Sequence, residues 1–100
     1  MGLKQRLHYH IQKMFYRFNM KKNQRNKEGK AEGYLEEYFS NGNVAYKGNY
    51  INGIREGYWE YYHFNGKLAW KGNHLNDNRE GYWEYYFDNG ILYLMEYFVI

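Results

Sequence analysis

The sequence contains no cysteine and no proline, and aliphatic side chains are few among its 100 residues. Without cysteine the chain has no disulfide framework, no thiolate nucleophile and no cysteine-based zinc site. This composition suits a reducing compartment, and we expect a cytoplasmic protein. Aromatic residues make up 23% of the chain, so aromatic rings must supply most of the buried area.

Long apolar runs are also missing. No segment approaches the roughly 20 apolar residues that a membrane-spanning helix needs. The N-terminus lacks the uninterrupted apolar stretch of a secretory signal, and Arg6 stands where a myristoylation site requires Ser or Thr. We therefore expect a soluble, unprocessed chain that forms one domain with a small core.

Charge is distributed unevenly along the chain. Residues 1–30 carry nine basic side chains against one acidic side chain, whereas residues 31–100 carry five basic against ten acidic. The formal net charge of +3 therefore conceals a basic arm of +8 and an acidic body of −5.

An internal repeat with a period of 24 residues dominates the sequence. Three blocks align without gaps: EGYLEEYFSNGNVAYKGNYINGIR at 32–55, EGYWEYYHFNGKLAWKGNHLNDNR at 56–79, and EGYWEYYFDNGILYLMEYFVI at 80–100. A repeat of this length indicates one supersecondary unit that is stacked on its neighbours.

Each block carries two turn signals between runs of strand-forming residues. The first signal is an Asn-Gly pair, for which we predict a type I′ hairpin turn with positive φ at both central residues. The second signal is Asn52-Gly53, matched one period later by Asn76-Asp77-Asn78. Two strands per repeat predict a mainly β fold, an antiparallel β-meander of about six strands from three tandem 24-residue hairpin repeats. The Asn-Gly pairs are Asn41-Gly42, Asn65-Gly66 and Asn89-Gly90.

Side-chain alternation divides each strand between two faces. Along one run, Trp59 and Tyr61 share one face while Tyr58, Glu60 and Tyr62 share the other. Stacked repeats place equivalent rings side by side and so predict aromatic ladders across the sheet. The recurring glycines are expected to leave space for these rings or to allow local bends.

The pattern E-G-Y-W-E-Y-Y-x-x-N-G-K-L-x-x-K-G-N-x-x-N-G closely resembles the MORN repeat, specifically the bacterial variant found in antitoxin-like proteins. The resemblance covers residues 32–93 and weakens after Tyr93, where Met95 and Glu96 replace the expected Lys-Gly. It implies an elongated, twisted single-layer sheet that is used as a scaffold or an interaction surface.

The N-terminal segment does not match the repeat. Apolar residues at steps of three and four predict a basic amphipathic helix over residues 1–20. Residues 21–31 lose this apolar content and are predicted to be a basic linker, although Gly29 lies one period before Gly53 and can close an incomplete leading turn. The three-repeat sheet then occupies residues 32–100. The apolar stripe comprises Leu3, Leu7, Ile11, Met14, Phe15 and Phe18.

Several roles are open for the basic arm. Its helix can dock on the sheet and cover aromatic rings, or its cations can bind nucleic acid, an anionic membrane surface or an acidic groove on a protein. No helix-turn-helix or RNA-binding signature favours the nucleic-acid role. The residues that would carry these contacts are Lys4, Arg6, Lys13, Arg17, Lys21, Lys22 and Arg25.

The most apolar stretch of the chain is residues 91–100, where the repeat breaks down. It is expected to be either a capping strand or an exposed sheet edge that pairs with another chain, through an edge-strand homodimer or β-augmentation.

No arrangement of residues predicts catalysis. His8 and His10 lie two apart, which separates them on a helix, while His63 and His74 occupy repeat positions held elsewhere by other aromatic residues. The recurring glutamates are expected to form a solvated strip, balanced in part by Lys and Arg from the same repeats. We expect a protein that is not an enzyme and has no cofactor and no metal site. The glutamates are Glu36, Glu60 and Glu84, and the balancing cations are Lys47, Lys71, Arg55 and Arg79.

The leading hypothesis is a non-catalytic protein-binding module that occludes a partner protein, as an inhibitor or antitoxin-type factor. The acidic body favours a basic partner such as a nucleic-acid-acting enzyme. A composition rich in Asn and Lys and poor in Ala is typical of AT-rich coding sources, including phages that block host factors. The alternatives are nucleic-acid binding through the arm and a membrane-surface scaffold. The predicted contact residues are Tyr58, Trp59, Tyr61, Trp70, Tyr82, Trp83 and Tyr85.

Overall fold

The structure is a computed structural model that describes residues 22–99. The helix predicted for residues 1–20 lies outside the described residues, as does Ile100. The described chain forms seven strands: β1 (Gln24–Arg25), β2 (Ala31–Tyr38), β3 (Val44–Ile51), β4 (Ile54–Tyr62), β5 (Leu68–Leu75), β6 (Asn78–Tyr86) and β7 (Leu92–Phe98).

All seven strands belong to one sheet in which each strand pairs antiparallel with its neighbours in the chain, in the order β1 to β7. The predicted β-meander is therefore confirmed. The number of strands is seven rather than about six because the segment predicted as a linker contains β1, which pairs through Gln24 with Glu32 and through Arg25 with Ala31. Gly29, with φ of 82°, lies in the leading turn that the repeat period indicated.

The predicted type I′ geometry of the Asn-Gly pairs is wrong. Only the glycine of each pair has positive φ, as at Gly42 with 89°. The Gly42 N–H donates to the Phe39 carbonyl at 3.0 Å, and the Phe39 N–H donates to the Asn43 carbonyl at 2.8 Å. This is a three-residue loop closed by a left-handed glycine. Asn41 instead uses its side chain, because its Oδ1 accepts the Asn43 N–H at 3.0 Å.

Positive φ at both central residues occurs at the second turn of the first and second repeats. Asn52 and Gly53 have φ of 52° and 81°, and Asn76 and Asp77 have φ of 55° and 72°. These two-residue loops have the backbone that matches the right-handed twist of a hairpin, and Asn and Asp tolerate it better than other side chains do.

The core of the sheet is built around Trp59, which is 0% exposed. Its indole lies over Gly48 of β3, where a Cβ atom would come within 2.1 Å of the ring. The register of β3 and β4 shifts between Lys47 and Asn49, which leaves Gly48 without a pair on β4. The indole Nε1–H then donates to the Asn49 carbonyl at 3.2 Å. The ring is thus fixed by shape and by one buried hydrogen bond.

The next repeat reproduces this arrangement. Trp83 is 1% exposed and covers Gly72, where a Cβ atom would come within 2.3 Å of the ring. Its Nε1–H donates to the Asn73 carbonyl at 3.0 Å. The K-G-N element therefore supplies both the space and the acceptor for the tryptophan of the following strand.

Hydrogen bonds between repeats connect the turns at both ends of the strands. At one end, the Glu32 carboxylate accepts the Asn52 N–H at 2.9 Å, and the Glu56 carboxylate accepts the Asn76 N–H at 2.7 Å. At the other end, the Asn41 amide donates to the Phe64 carbonyl at 2.7 Å. A period of 24 residues therefore places equivalent turns of successive repeats side by side, where they can form hydrogen bonds.

Within residues 22–99, no helix is long and apolar enough to cross a membrane.

We expect Gly72→Ala to destabilise the protein by about 3 kcal/mol, the upper end of the usual cost of overpacking, because the new methyl group overlaps the buried Trp83 ring. Gly42→Ala is the control: nothing lies within 4 Å of its Cβ position, so only backbone strain of about 1–2 kcal/mol applies. Chemical denaturation measures both. The double variant Gly72→Ala/Trp83→Leu should lose less stability than the sum of its single changes. Strict additivity would contradict the packing described for Trp83.

Candidate binding groove

The two faces of the sheet differ in chemistry. One face, which contains a groove and is called the groove face, carries Tyr61, Trp70, His74, Trp83 and Tyr85. The opposite face, called the glutamate face, carries Glu36, Glu60 and Glu84 with their tyrosine and lysine partners. The pairs Tyr61–Trp70 and Trp70–Tyr85 lie directly opposite each other on adjacent strands, as do Lys71 and Glu84. The face assignment predicted from alternation along β4 is confirmed, because Tyr58 and Tyr62 both donate to Glu60.

The groove face contains a groove with a volume of about 720 Å³. Aromatic rings form most of its surface, and two arginines and one aspartate supply charge. Its residues are Arg55, Tyr61, Trp70, His74, Asp77, Asn78, Arg79, Trp83, Tyr85 and Tyr93.

Aromatic rings stack both within a strand and between adjacent strands at the groove. Tyr61 lies between Trp59 and Trp70, with centroid distances of 6.0 and 5.4 Å and near-parallel planes. Trp70 is 40% exposed and Tyr93 is 52% exposed, so both present ring surface to solvent. Buried rings therefore support exposed rings, which keeps the exposed ones in fixed positions.

Arg55 forms an ion pair with Asp77, which lies in the turn between β5 and β6. The Arg55 Nε donates to the Asp77 Oδ1 at 2.9 Å, and the Arg55 backbone N–H donates to the same oxygen at 2.8 Å. A further bond runs from Nη1 to the Tyr61 hydroxyl at 3.3 Å. The hydrogen bond from Arg55 lowers the pKa of Asp77, so the carboxylate stays ionised across the neutral range.

Arg79 occupies the place equivalent to Arg55 one repeat later, but it has different partners. Its Nη1 donates to the Tyr85 hydroxyl at 2.9 Å, and its guanidinium lies 5.7 Å from the Trp83 ring and 4.9 Å from the Phe98 ring. Arg79 is exposed. Cation–π contacts of this kind orient the guanidinium without neutralising it.

His74 lies in the floor of the groove and is 2% exposed. Its ring packs edge-on against Trp83 with a centroid distance of 4.9 Å, and its Nε2 lies 2.9 Å from the Tyr61 hydroxyl. Burial, and next the positive charge of Arg55, lower the pKa of His74 to about 4, although nearby Asp77 opposes the shift. The imidazole is therefore neutral near pH 7.

On the glutamate face two tyrosine hydroxyls and one lysine contact each of Glu36 and Glu60, whereas one tyrosine hydroxyl, that of Tyr86, and one lysine contact Glu84. Glu36 accepts hydrogen bonds from Tyr34 and Tyr38 and lies 3.1 Å from the Lys22 ammonium. Burial would raise the pKa of Glu36, but the hydrogen bonds from Tyr38, Lys22 and Tyr34 outweigh it and lower the pKa.

The next repeat keeps both tyrosine bonds, from Tyr58 and Tyr62 to Glu60, and the last repeat keeps one, from Tyr86 to Glu84. Lys47 pairs with Glu60 at 3.6 Å, and Lys71 pairs with Glu84 at 3.5 Å. The hydrogen bond to Glu84 raises the pKa of Tyr86 to about 12. The balance predicted from lysine is present, whereas Arg55 and Arg79 are not part of it because both reach the groove instead.

Within the described part of the chain, no three His, Asp or Glu side chains are grouped as metal ligands would be. His63 uses Nε2 to contact the Tyr86 carbonyl at 2.8 Å, so it also takes part in packing between repeats.

The predicted contact residues do not form one surface. Trp59 is buried and does not line the groove, whereas Trp83 and Tyr85 are largely buried and form part of the groove wall. Trp70 is exposed and Tyr61 lines the groove. Tyr58 and Tyr82 lie on the glutamate face, where Tyr58 bonds to Glu60 and Tyr82 is 65% exposed against Tyr97.

Sequence reasoning also missed part of the groove. From the sequence, Arg55 and Arg79 are assigned to the glutamate strip, Asp77 to a turn and His74 to an aromatic repeat position. All four line the groove. The repeat alignment held a usable signal, because it placed Arg55 and Arg79 in the same position of successive blocks.

Most of the predicted basic arm lies outside the described residues, namely Lys4, Arg6, Lys13, Arg17 and Lys21. The two members within them are engaged: Lys22 pairs with Glu36, and the Arg25 Nη1 donates to the Gly29 carbonyl at 2.9 Å.

Strand β7 forms one edge of the described sheet and pairs with β6 alone. Its side chains are exposed on both faces, with Leu94 at 42%, Met95 at 51% and Tyr97 at 61%. The predicted apolar edge is therefore present, and its pairing with another chain stays a prediction.

Comparison of the chain with protein-family models, with curated proteins and with solved structures gave no match.

We expect His74 to make stability depend on pH. Its pKa is about 4 in the fold and about 6.5 in the unfolded chain, so the unfolded chain binds more protons between these values. Stability is then highest above pH 6.5 and falls by up to about 3 kcal/mol as the pH drops towards 4. Urea denaturation at pH 7.5, 6, 5 and 4.5 measures this loss.

His74→Tyr is the matched control, because Tyr50 holds the equivalent place in the first repeat and packs edge-on against Trp59 at 5.1 Å. This variant should keep its stability from pH 7 to pH 5, apart from effects shared with the parent chain. Equal pH dependence in both proteins would show that His74 is not the source.

Proposed function

We propose that this chain is a non-catalytic protein-binding module that occludes a partner protein, as an inhibitor or antitoxin-type factor. The groove carries the proposal, because it presents the exposed rings of Trp70 and Tyr93 beside the charged groups of Arg55, Asp77 and Arg79. Trp, Tyr and Arg are the residue types that most often dominate binding energy at protein interfaces.

Rigidity of the groove supports high affinity. Trp70 is stacked on Tyr61, and Tyr61 is in turn supported by the buried ring of Trp59. A partner that binds rings already held in place does not have to order them, so less conformational entropy is lost on association. The groove is thus suited to seat one or two side chains of a partner while the surrounding sheet covers its surface.

Charge supports a basic partner. Residues 31–100 carry ten acidic side chains against five basic ones, a formal charge of −5. A field of this sign accelerates encounter with a positively charged protein, such as an enzyme that acts on nucleic acid.

The resemblance to the MORN repeat of antitoxin-like proteins is part of the same proposal, since that family's sheets are used as interaction surfaces. The proposal also includes a phage source with a host protein as target, motivated by the Asn- and Lys-rich composition. It places the protein in the cytoplasm, because a chain without cysteine is suited to a reducing compartment.

The test is affinity capture with the full chain from a nuclease-treated bacterial lysate at moderate salt, followed by mass spectrometry. We expect one protein held in stoichiometric amount. Trp70→Ala should weaken its binding by at least about 30-fold, as loss of an interface hot spot does. Tyr82→Ala is the matched control, because Tyr82 is a more exposed ring on the opposite face and should have little effect.

The contrary results are specific. Binding that is unaffected by Trp70→Ala but lost in Tyr82→Ala would move the interface to the glutamate face. Capture that requires nucleic acid or anionic lipid, and that falls steeply with salt, would identify the basic arm as the functional element and would reject the proposal.

A further inference from the structure

Two arginines occupy equivalent positions in the groove, and their electrostatic environments differ. Arg55 and Arg79 lie 24 residues apart, at the same point of successive repeats, and both donate to the hydroxyl of the tyrosine six residues further along the chain. Arg55 forms an ion pair with Asp77. Among residues 22–99, no carboxylate lies within 4 Å of a guanidinium nitrogen of Arg79. Glu96 acts on the Tyr85 hydroxyl, to which Arg79 also donates, so this carboxylate is linked to Arg79 through Tyr85 and not by an ion pair. In the described residues, the groove thus contains one arginine in a direct ion pair with a carboxylate and one without such a pair.

The Arg55–Asp77 pair shows how this position accommodates a carboxylate. The Asp77 Oδ1 accepts the side-chain Nε–H and the backbone N–H of Arg55. Arg79 has the same backbone setting at the start of the Trp-bearing strand, and the exposed position of its side chain makes it accessible to a ligand. A guanidinium has five N–H donors, and the described residues accept a bond from Nη1 alone.

The neighbours of Arg79 favour a particular kind of ligand. Trp83 and Phe98 lie on its guanidinium at 5.7 and 4.9 Å and hold its orientation, while Tyr93 adds exposed aromatic surface to the groove. A guanidinium fixed in this way binds carboxylate with a planar, two-bond geometry.

We propose that Arg79 is the carboxylate-recognition point of the groove, and that an Asp or Glu side chain of the partner docks on Arg79 as Asp77 docks on Arg55. This inference rests on the proposed protein-binding function and specifies the chemistry of the group that enters the groove.

A carboxylate fits better than the phosphates of a nucleic acid. The anion that the equivalent arginine already binds is a carboxylate. In addition, residues 31–100 carry a net charge of −5, which repels a polyanion but tolerates one acidic side chain on a basic protein.

The test uses benzoate, which carries a carboxylate on an aromatic ring and so matches both kinds of group in the groove. Binding to the full chain is followed by nitrogen–proton correlation NMR at the Arg79 Nε–H and the Trp70 and Trp83 indole signals. We expect saturable shifts at these signals, with benzamide, the neutral analogue, binding at least about tenfold more weakly. Phenyl phosphate, the third probe, should bind no more tightly than benzoate.

Variants separate recognition from packing. Arg79→Gln should abolish the difference between benzoate and benzamide, whereas Arg25→Gln, an equal change of charge outside the groove, should preserve it. Asp77→Asn releases Arg55 from its carboxylate and keeps an amide oxygen for the backbone, so it should increase benzoate binding. Each variant is first checked for an intact sheet by the dispersion of its NMR spectrum.

Retention of the benzoate preference in a folded Arg79→Gln protein would overturn the inference, as would tighter binding of phenyl phosphate or of a short single-stranded oligonucleotide. The proposed function fails separately. A captured partner whose binding is unaffected by Arg79→Gln would support the protein-binding function and reject the carboxylate inference. Benzoate binding that depends on Arg79, without any stoichiometric protein partner, would support the carboxylate site and reject the protein-binding function.

Discussion

The sheet depends on one kind of contact, the packing of a tryptophan ring directly on a glycine of the adjacent strand. Residues 22–99 form one sheet and contribute no second layer to cover it, so the core within these residues comes from rings that lie flat along the sheet. Trp59 over Gly48 and Trp83 over Gly72 supply that core, and each indole also satisfies a backbone carbonyl of the strand that it covers. The stacked rings of the groove are supported by these two residues.

The repeat made much of this architecture predictable. A period of 24 residues and alternation along the strands gave the meander and the two faces, because both follow from backbone geometry. Burial was harder to predict, since both faces are aromatic and alternation cannot tell which rings are covered. The Asn-Gly turns were assigned the wrong geometry because Asn41 contributes its side chain rather than a left-handed backbone. Strand β1 is too short and polar to give a signal.

Electrostatics separate the two sides of one thin sheet. The glutamate face neutralises its carboxylates locally with tyrosine hydroxyls and lysines, whereas the groove face keeps its cations among aromatic rings. The pairing of Arg55 with Asp77 depends on how successive hairpins pack, which the sequence does not reveal. For this reason both arginines were predicted to balance the glutamates. The position of the groove is therefore a property of the assembled sheet and not of one repeat.

Strand β7 also determines how far this kind of sheet can grow. Glu96 pairs with Trp83 and occupies the place that Gly48 and Gly72 hold in the earlier repeats. A further tryptophan-bearing strand added to this edge in the same register would meet the Glu96 side chain where the earlier strands offer an empty seat. At this edge the sheet therefore lacks the glycine on which Trp59 and Trp83 pack in the earlier repeats.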